Sequence, residues 1–209
     1  KKALRILGHL EKYKEALLQG KSARTVAIDP VAKKEDLFDL QLLTDKPIMY
    51  VCNVDENSVK SGNKYTEDVI EAVKNENAEV LIIGAAIEAD ITELETYEER
   101  QMFLEDLGLK EAGVAKLINS AYKLLQLQTY FTTGPKETRA WTFRKGMKAP
   151  QCAGIIHTDF EKGFIRAEVI KFDDFITLGS EAACREAGKM GVEGKEYVVN
   201  DGDMMHFRF

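Results

Sequence analysis

An α/β unit followed by a smaller α+β roll is the fold this sequence predicts, and three observations carry it. Apolar runs at 48–52 and 79–83 read as short strands with a helical stretch at 65–75 between them, the βαβ pattern of a parallel sheet. Texture changes at Leu127/Gln128, where helical periodicity gives way to alternating Thr and aromatic residues, as in a hairpin. Of the 209 residues, 44% are hydrophobic, enough for the cores of one large or two ordinary domains.

Taken in order, Ala3, Ile6, Leu10, Tyr13 and Leu17 recur at spacings of three and four with Lys and Glu between them, the seam of an amphipathic or coiled-coil helix ended by Gly20. Asp29-Pro30 reads as a break, and 34–43 as a short helix feeding the first strand. Ile48, Met49, Tyr50, Val51 and Cys52 do not alternate, which predicts burial on both faces. Asn53-Val54-Asp55-Glu56 follows at the strand's carboxyl end, where open α/β sheets bind ligands. After 65–75, with Val69, Ile70 and Val73 on one face, the second strand ends in Gly84-Ala85-Ala86-Ile87-Glu88. Small residues there let backbone approach a flat ligand and offer amide donors that the acidic turn lacks. Singly, each is also an ordinary solvated turn; together they predict one pocket for a purine base. The acidic stretch 88–99 is expected to begin a helix on a solvated surface, and 113–127 to form another with a broad apolar stripe.

From Gln128 the segments TYFTT and TRAWTF flank Gly134-Pro135, a β-hairpin. A helix at 150–156, a strand at 164–170, a helix at 181–187 and strands at 196–199 and 204–209 complete the reading, with Asn200-Asp201-Gly202-Asp203 joining the last two. That pattern describes a roll of the ubiquitin-like, β-grasp kind.

Composition narrows the function classes. A net charge of −6 argues against a wholesale nucleic-acid coat, so contact with RNA requires a local basic surface. Cys52, Cys152 and Cys184 are odd in number and widely spaced, as are His9, His157 and His206; they predict reduced thiols, a cytosolic setting and no metal site. No apolar run approaches the ~20 residues that span a bilayer, and no membrane partner is expected. Lys1 opens the chain without methionine and inside a helical pattern, so the chain reads as a fragment of something longer.

Trp141-Thr142 through Lys145-Gly146, Ala149-Pro150-Gln151, the run IIHTDFEKGFIRAEVI at 155–170, EAGK at 186–189 and the Asp201-Gly202-Asp203 turn resemble the TGS domain of the YchF family, the Obg-like ATPases. Asn53-Val54-Asp55-Glu56 resembles that family's altered fourth G motif, and 85–90 its fifth. The resemblance implies the C-terminal part of a Rossmann-like P-loop NTPase domain: 1–22 as the end of a helical arm, 23–127 as nucleotide-binding domain, 128–209 as TGS domain. It implies a cytoplasmic, ribosome-associated hydrolase of ATP or GTP that uses Mg2+, with Asn53, Val54, Glu56, Ala85, Ala86 and Ile87 holding the nucleotide. Ribosome or RNA is then the partner, through the TGS domain and the arm. The sequence contains no Gly-x-x-x-x-Gly-Lys-Ser/Thr, so the phosphate cradle, the magnesium ligands and every catalytic residue are expected outside this chain, which alone should be inactive. Lys145, Lys148, His157, Lys162 and Arg166, with Phe160 and Phe164 nearby, are candidates for a modest RNA-binding surface; Asp159 and Glu161 oppose it, Phe164 suits a core, and His157 a structural hydrogen bond. The alternative is an RNA- or protein-binding regulatory module with no catalytic role.

Overall fold

Helix α1 (Lys2–Leu18) opens the computed structural model, which describes residues 2–37, 39–76, 78–134 and 137–209. Ile6 and Tyr13 pack with Ala23 and Leu37 in a small core, while Leu4, Leu7 and Leu18 stay exposed; one stripe of the helix is buried. Gly20 ends it in the left-handed region, φ +72, which glycine adopts without steric cost. Asp29-Pro30 is a start rather than a break. Asp29 accepts from the Val31 and Ala32 amides at 2.9 and 3.1 Å and caps α2 (Pro30–Asp36), with proline at the first position, where no amide partner is needed. The helix expected at 34–43 therefore begins earlier and ends sooner.

Strands β1 (Met49–Asn53) and β2 (Glu79–Ile83) pair in parallel from Met49↔Glu79 to Asn53↔Ile83. Between them α3 (Lys64–Val73) starts in a capping box of Asn63 and Thr66. Burial of β1 on both faces is not observed: Val51 is 43% exposed. The described sheet has two strands, so apolar residues suited to a central strand stay half wet. The acidic stretch also divides. It forms α4 (Ala85–Glu93) and α5 (Tyr97–Asp106), because Thr96 and Glu99 make a capping box that starts a new helix. Ile87, Ile91, Leu104 and Val59 form the core beneath them, and α6 (Gly113–Leu124) follows.

The chain divides into two compact units, Lys1–Leu124 and Leu125–Phe209. In the second, β3 (Leu127–Thr133) and β4 (Thr138–Arg144) form the antiparallel hairpin, Tyr130 opposite Trp141; Pro135 of the expected turn lies outside the described residues. Next come α7 (Ala149–Ile156), α8 (Thr158–Lys162), β5 (Arg166–Ile170), α9 (Phe172–Leu178), α10 (Glu181–Glu186), β6 (Met190–Glu193) and β7 (Met204–Arg208). The sheet order is β4-β3-β7-β5-β6, with β3 and β7 parallel and the other pairs antiparallel. The strand expected at 196–199 is not one. Residues 190–193 occupy the place beside β5, and the later segment is held instead by Ala149 N to Tyr197 O, 2.9 Å, and Val199 N to Met147 O, 3.0 Å. Helices α8 and α9 were not expected; each is a short helix whose local periods are too few to read.

One face of this sheet carries the main core: Tyr130, Phe143, Val169, Met205 and Phe207 against Ala149, Cys152 and Ala153 of α7. The opposite face carries a smaller cluster of Ile170, Cys184 and Met204 with Phe131, Phe175 and Met190. Burial pushes the Cys152 thiol from an ordinary 9.0 up to about 12, and burial likewise raises Tyr130, whose hydroxyl donates to the Cys152 carbonyl at 2.8 Å. The folded chain holds these protons where the unfolded chain sheds them, so their contribution is full below about pH 9 and lost as pH rises through the folded values. The melting temperature of this unit is expected to fall steadily from about pH 9 to 11, and Cys152→Ala to blunt the onset. A thermal transition flat across that range would contradict this.

Candidate functional site

Because β1 and β2 run parallel and in step, both chains leave the sheet at the same level, Asn53 opposite Ile83. Val54 N donates to Ile83 O at 2.9 Å, and the Asn53 Oδ1 accepts from the Ala85 amide at 2.9 Å. The two turns predicted to share a pocket are thus tied together by a side chain. The tie alters one expectation: the Ala85 amide is already taken and is no donor for a ligand. The amides of Ala86 and Ile87 remain ahead of the first intrahelical bond, Glu88 N to Gly84 O at 3.0 Å. They sit in the positive first turn of α4.

Side chains around this point divide between structure and solvent. Ile87 is buried in the core, so only its backbone faces outward, and Val54 packs against the same cluster. Gly84 is buried; a Cβ there would lie 3.0 Å from the Ile87 Cδ1 and 3.5 Å from the Val59 Cγ2, so a larger residue would press on the Ile87 side chain. Asp55 caps the following 3-10 turn, accepting from Ser58 N at 3.0 Å. Glu56 is exposed, and its carboxylate has no protein partner among the described residues; Ala85 and Ala86 are exposed in the second turn. The chemistry on offer is one uncommitted acceptor, two amide donors and two small exposed side chains. Glu88, read from sequence as solvated surface, instead caps α6 through Gly113 N at 2.6 Å and Val114 N at 3.1 Å. An acid at the end of one turn and a helix-starting glycine later in the chain were the only hints.

The five basic candidates are not brought onto one surface. Lys145 sits in the turn after β4, its amide bonded to Gln126 O at 2.8 Å. Lys148 ion-pairs with Glu196, and His157 caps α8, its Nδ1 accepting from Asp159 N at 3.2 Å. Lys162 ends α8, in the layer that covers the main core. Arg166 alternates with buried Ala167, and so lies on the other face of the sheet. Phe164 is buried, and Phe160 stacks on Phe209 with ring centroids 3.8 Å apart. Among the described residues no cluster of His, Cys, Asp or Glu could hold a metal ion, and no helix is long and apolar enough to cross a membrane.

Comparison with known proteins adds the family. Residues 127–209 match YchF-GTPase_C, described as a protein of unknown function (DUF933). The ribosome-binding ATPase YchF of Bacillus subtilis is 54% identical over 202 residues, covering 96% of this chain and 55% of that protein. The chain belongs to the YchF and Obg-like ATPase family. The Obg-like ATPase 1 of Rattus norvegicus is 46% identical over 171 residues, 80% of this chain and 43% of that protein. The solved YchF GTPase of Schizosaccharomyces pombe superposes with a TM-score of 0.83 at 35% identity, across 96% of this chain and 53% of that one. The chain matches the C-terminal part of its YchF relatives and spans about half their length.

Proposed function

We propose that this chain supplies the base-reading turns of a cytoplasmic, ribosome-associated protein that binds and hydrolyses ATP or GTP. The observation that carries the reading is the Asn53 Oδ1 to Ala85 N hydrogen bond, which fixes an acid-bearing turn against a helix N-terminus at the carboxyl ends of parallel strands. Asn53 braces, Glu56 accepts from the base, and the Ala86 and Ile87 amides donate. Val54 and Ala85 shape the pocket wall. Phosphate and Mg2+ binding belong to residues outside this chain, since the sequence has no P-loop. The names of the YchF relatives support the ATPase and ribosome assignments.

The second unit is proposed to be a β-grasp TGS domain that contacts RNA. Its first and last strands, β3 and β7, lie side by side and parallel within the sheet, the arrangement a β-grasp requires, and this supports the reading. The test of the enzyme assignment is phosphate release. Full-length protein is expected to release phosphate from ATP in the presence of Mg2+, and the 209-residue chain to release none. Release by the 209-residue chain that survived repurification would place the chemistry within it and overturn the division.

A further inference from the structure

The RNA contact proposed for the second unit has a more specific location than the five basic residues legible in the sequence. In the antiparallel pair β5–β7, Arg166 stands opposite Arg208 and Glu168 opposite His206; in β5–β6, Glu168 stands opposite Val192. Ala167, Val169, Met205 and Phe207 point into the main core, so these charged side chains share the other face. Helices α9 and α10 close only one end of that face, over Ile170, Met204 and Met190. The remainder is open, with Arg166, His206, Arg208 and Val192 exposed.

Cations outnumber anions there. Arg208 and Arg185 both reach the Glu168 Oε2, at 3.1 and 3.8 Å, and the hydrogen bond from Arg208 holds the Glu168 carboxyl below its usual range. Arg166 has no ion pair among the described residues, and faces a like charge across the ladder, which destabilises a sheet. Three arginines and a histidine around one carboxylate, in a chain of net charge −6, are a local excess that an external anion would balance. Among the described residues of β5, β6 and β7, the exposed large apolar side chain is Val192, too little to seat a folded protein. Guanidinium forks match phosphate oxygens bidentately.

We propose that this open half of the sheet, with Arg166, Arg185, Arg208 and His206 around Glu168, receives the phosphate backbone of an RNA strand. The proposal rests on the RNA reading of the second unit and narrows it to one face. Without an aromatic on this part of the face, the contact is electrostatic and indifferent to base sequence.

Fluorescence anisotropy of a short labelled oligouridylate with the 209-residue chain, across about 50 to 200 mM salt, tests it. Replacing Arg166, Arg185 and Arg208 together by Ala is expected to weaken binding by roughly tenfold or more, and to reduce the slope of log affinity on log salt by about 0.7 per arginine. Replacing all three by Lys should retain most of the affinity. Glu168→Gln, which releases Arg185 and Arg208, should tighten binding, an effect that misfolding would not produce. Lys64→Ala on α3 serves as the unaffected control. Absence of binding by the wild-type chain at low salt would overturn the RNA reading and this site with it. Binding that the triple Ala variant and Glu168→Gln both leave unchanged would overturn the face alone. Polyglutamate competing as effectively as RNA would make the occupant an acidic protein segment, and the RNA assignment would fall.

Discussion

Asp203→Ala is expected to lower the melting temperature of the second unit by about 10–20 °C, a large effect for one surface turn. The Asp203 side chain is fully buried and accepts three hydrogen bonds: from Lys171 Nζ at 2.6 Å, Tyr197 OH at 2.6 Å and Asn200 N at 2.9 Å. Around it the turn is stitched to β3, with Phe131 N on Asp203 O at 2.8 Å, Gly202 N on Thr129 O at 2.7 Å and Thr129 N on the Asp201 Oδ1 at 2.7 Å. This turn delivers β7 into its place between β3 and β5. Loss of one member of a fully buried ion pair costs about 3–5 kcal/mol. The Lys171 side chain is 52% exposed and can turn to water, so its share is discounted. What remains is two donors left without an acceptor, about 2–3 kcal/mol in all. At roughly 4–8 °C per kcal/mol for a unit of this size, the expected fall follows. Lys171→Met should also destabilise, by about 1–3 kcal/mol, since it leaves the fully buried Asp203 carboxylate with its Tyr197 and Asn200 donors but without a cation. Calorimetry of the three chains measures this; an Asp203→Ala chain melting within a few degrees of wild type would contradict the account.

The features most legible in the sequence were those with a strong local signal. The 79–83 strand, the hairpin around Gly134 and the helix near Pro150 announce themselves through a short apolar run, a turn dipeptide between alternating segments and a proline at a helix start. Misreadings cluster where one polar residue has two uses. Asp29 before Pro30 is as good a helix cap as a chain break, and Thr96 with Glu99 stops one helix only by starting the next. Residues 190–193, containing Gly191 and Glu193, look poorer as a strand than 196–199. They pair with β5 because the sheet offers an edge there, a tertiary fact that local propensity does not contain.

At the candidate site, the two turns could be placed at one edge from the βαβ order alone, but the bond that joins them could not. Asn53 and Ala85 are distant in sequence, and nothing local states that the side chain of one accepts from the amide of the other. Asp203 shows the same limit in part: Tyr197 and Asn200 donate from its own segment, but Lys171 donates from far along the chain. Arg166 was legible as a basic residue, while its neighbours Arg185 and Arg208 were not, because only the register of β5 against β7 and the end of α10 bring them near Glu168.

In full-length protein, changing Val54 to Lys and Glu56 to Asp together is expected to shift the ratio of ATP to GTP affinity by about tenfold or more toward GTP. The Watson-Crick edge of guanine presents two donors, which one carboxylate accepts together; adenine presents one acceptor and one amino donor, so an acceptor-only group satisfies it in part. Glu56 is one methylene longer than aspartate and projects from an exposed 3-10 turn without a protein partner. Shortening it draws the carboxylate back toward the turn that Asn53 holds against Ala85. Val54 now packs on the core of Val59, Ile87, Ile91 and Leu104, and lysine there keeps part of that contact with its stem while the ammonium reaches water. Each well-made polar contact to a buried base edge is worth roughly 1–3 kcal/mol, and about 1.4 kcal/mol is tenfold in affinity. The phosphate-binding residues meet the same triphosphate on either base, so they cancel from the ratio. Asn53→Ala should instead weaken both nucleotides alike, since it loosens the turn without changing what the turn presents. Paired titration of ATP and GTP into wild type and both variants at one salt concentration provides the measurement, and an unchanged ratio in correctly folded double variant would show that discrimination between the bases lies elsewhere than at residues 54 and 56.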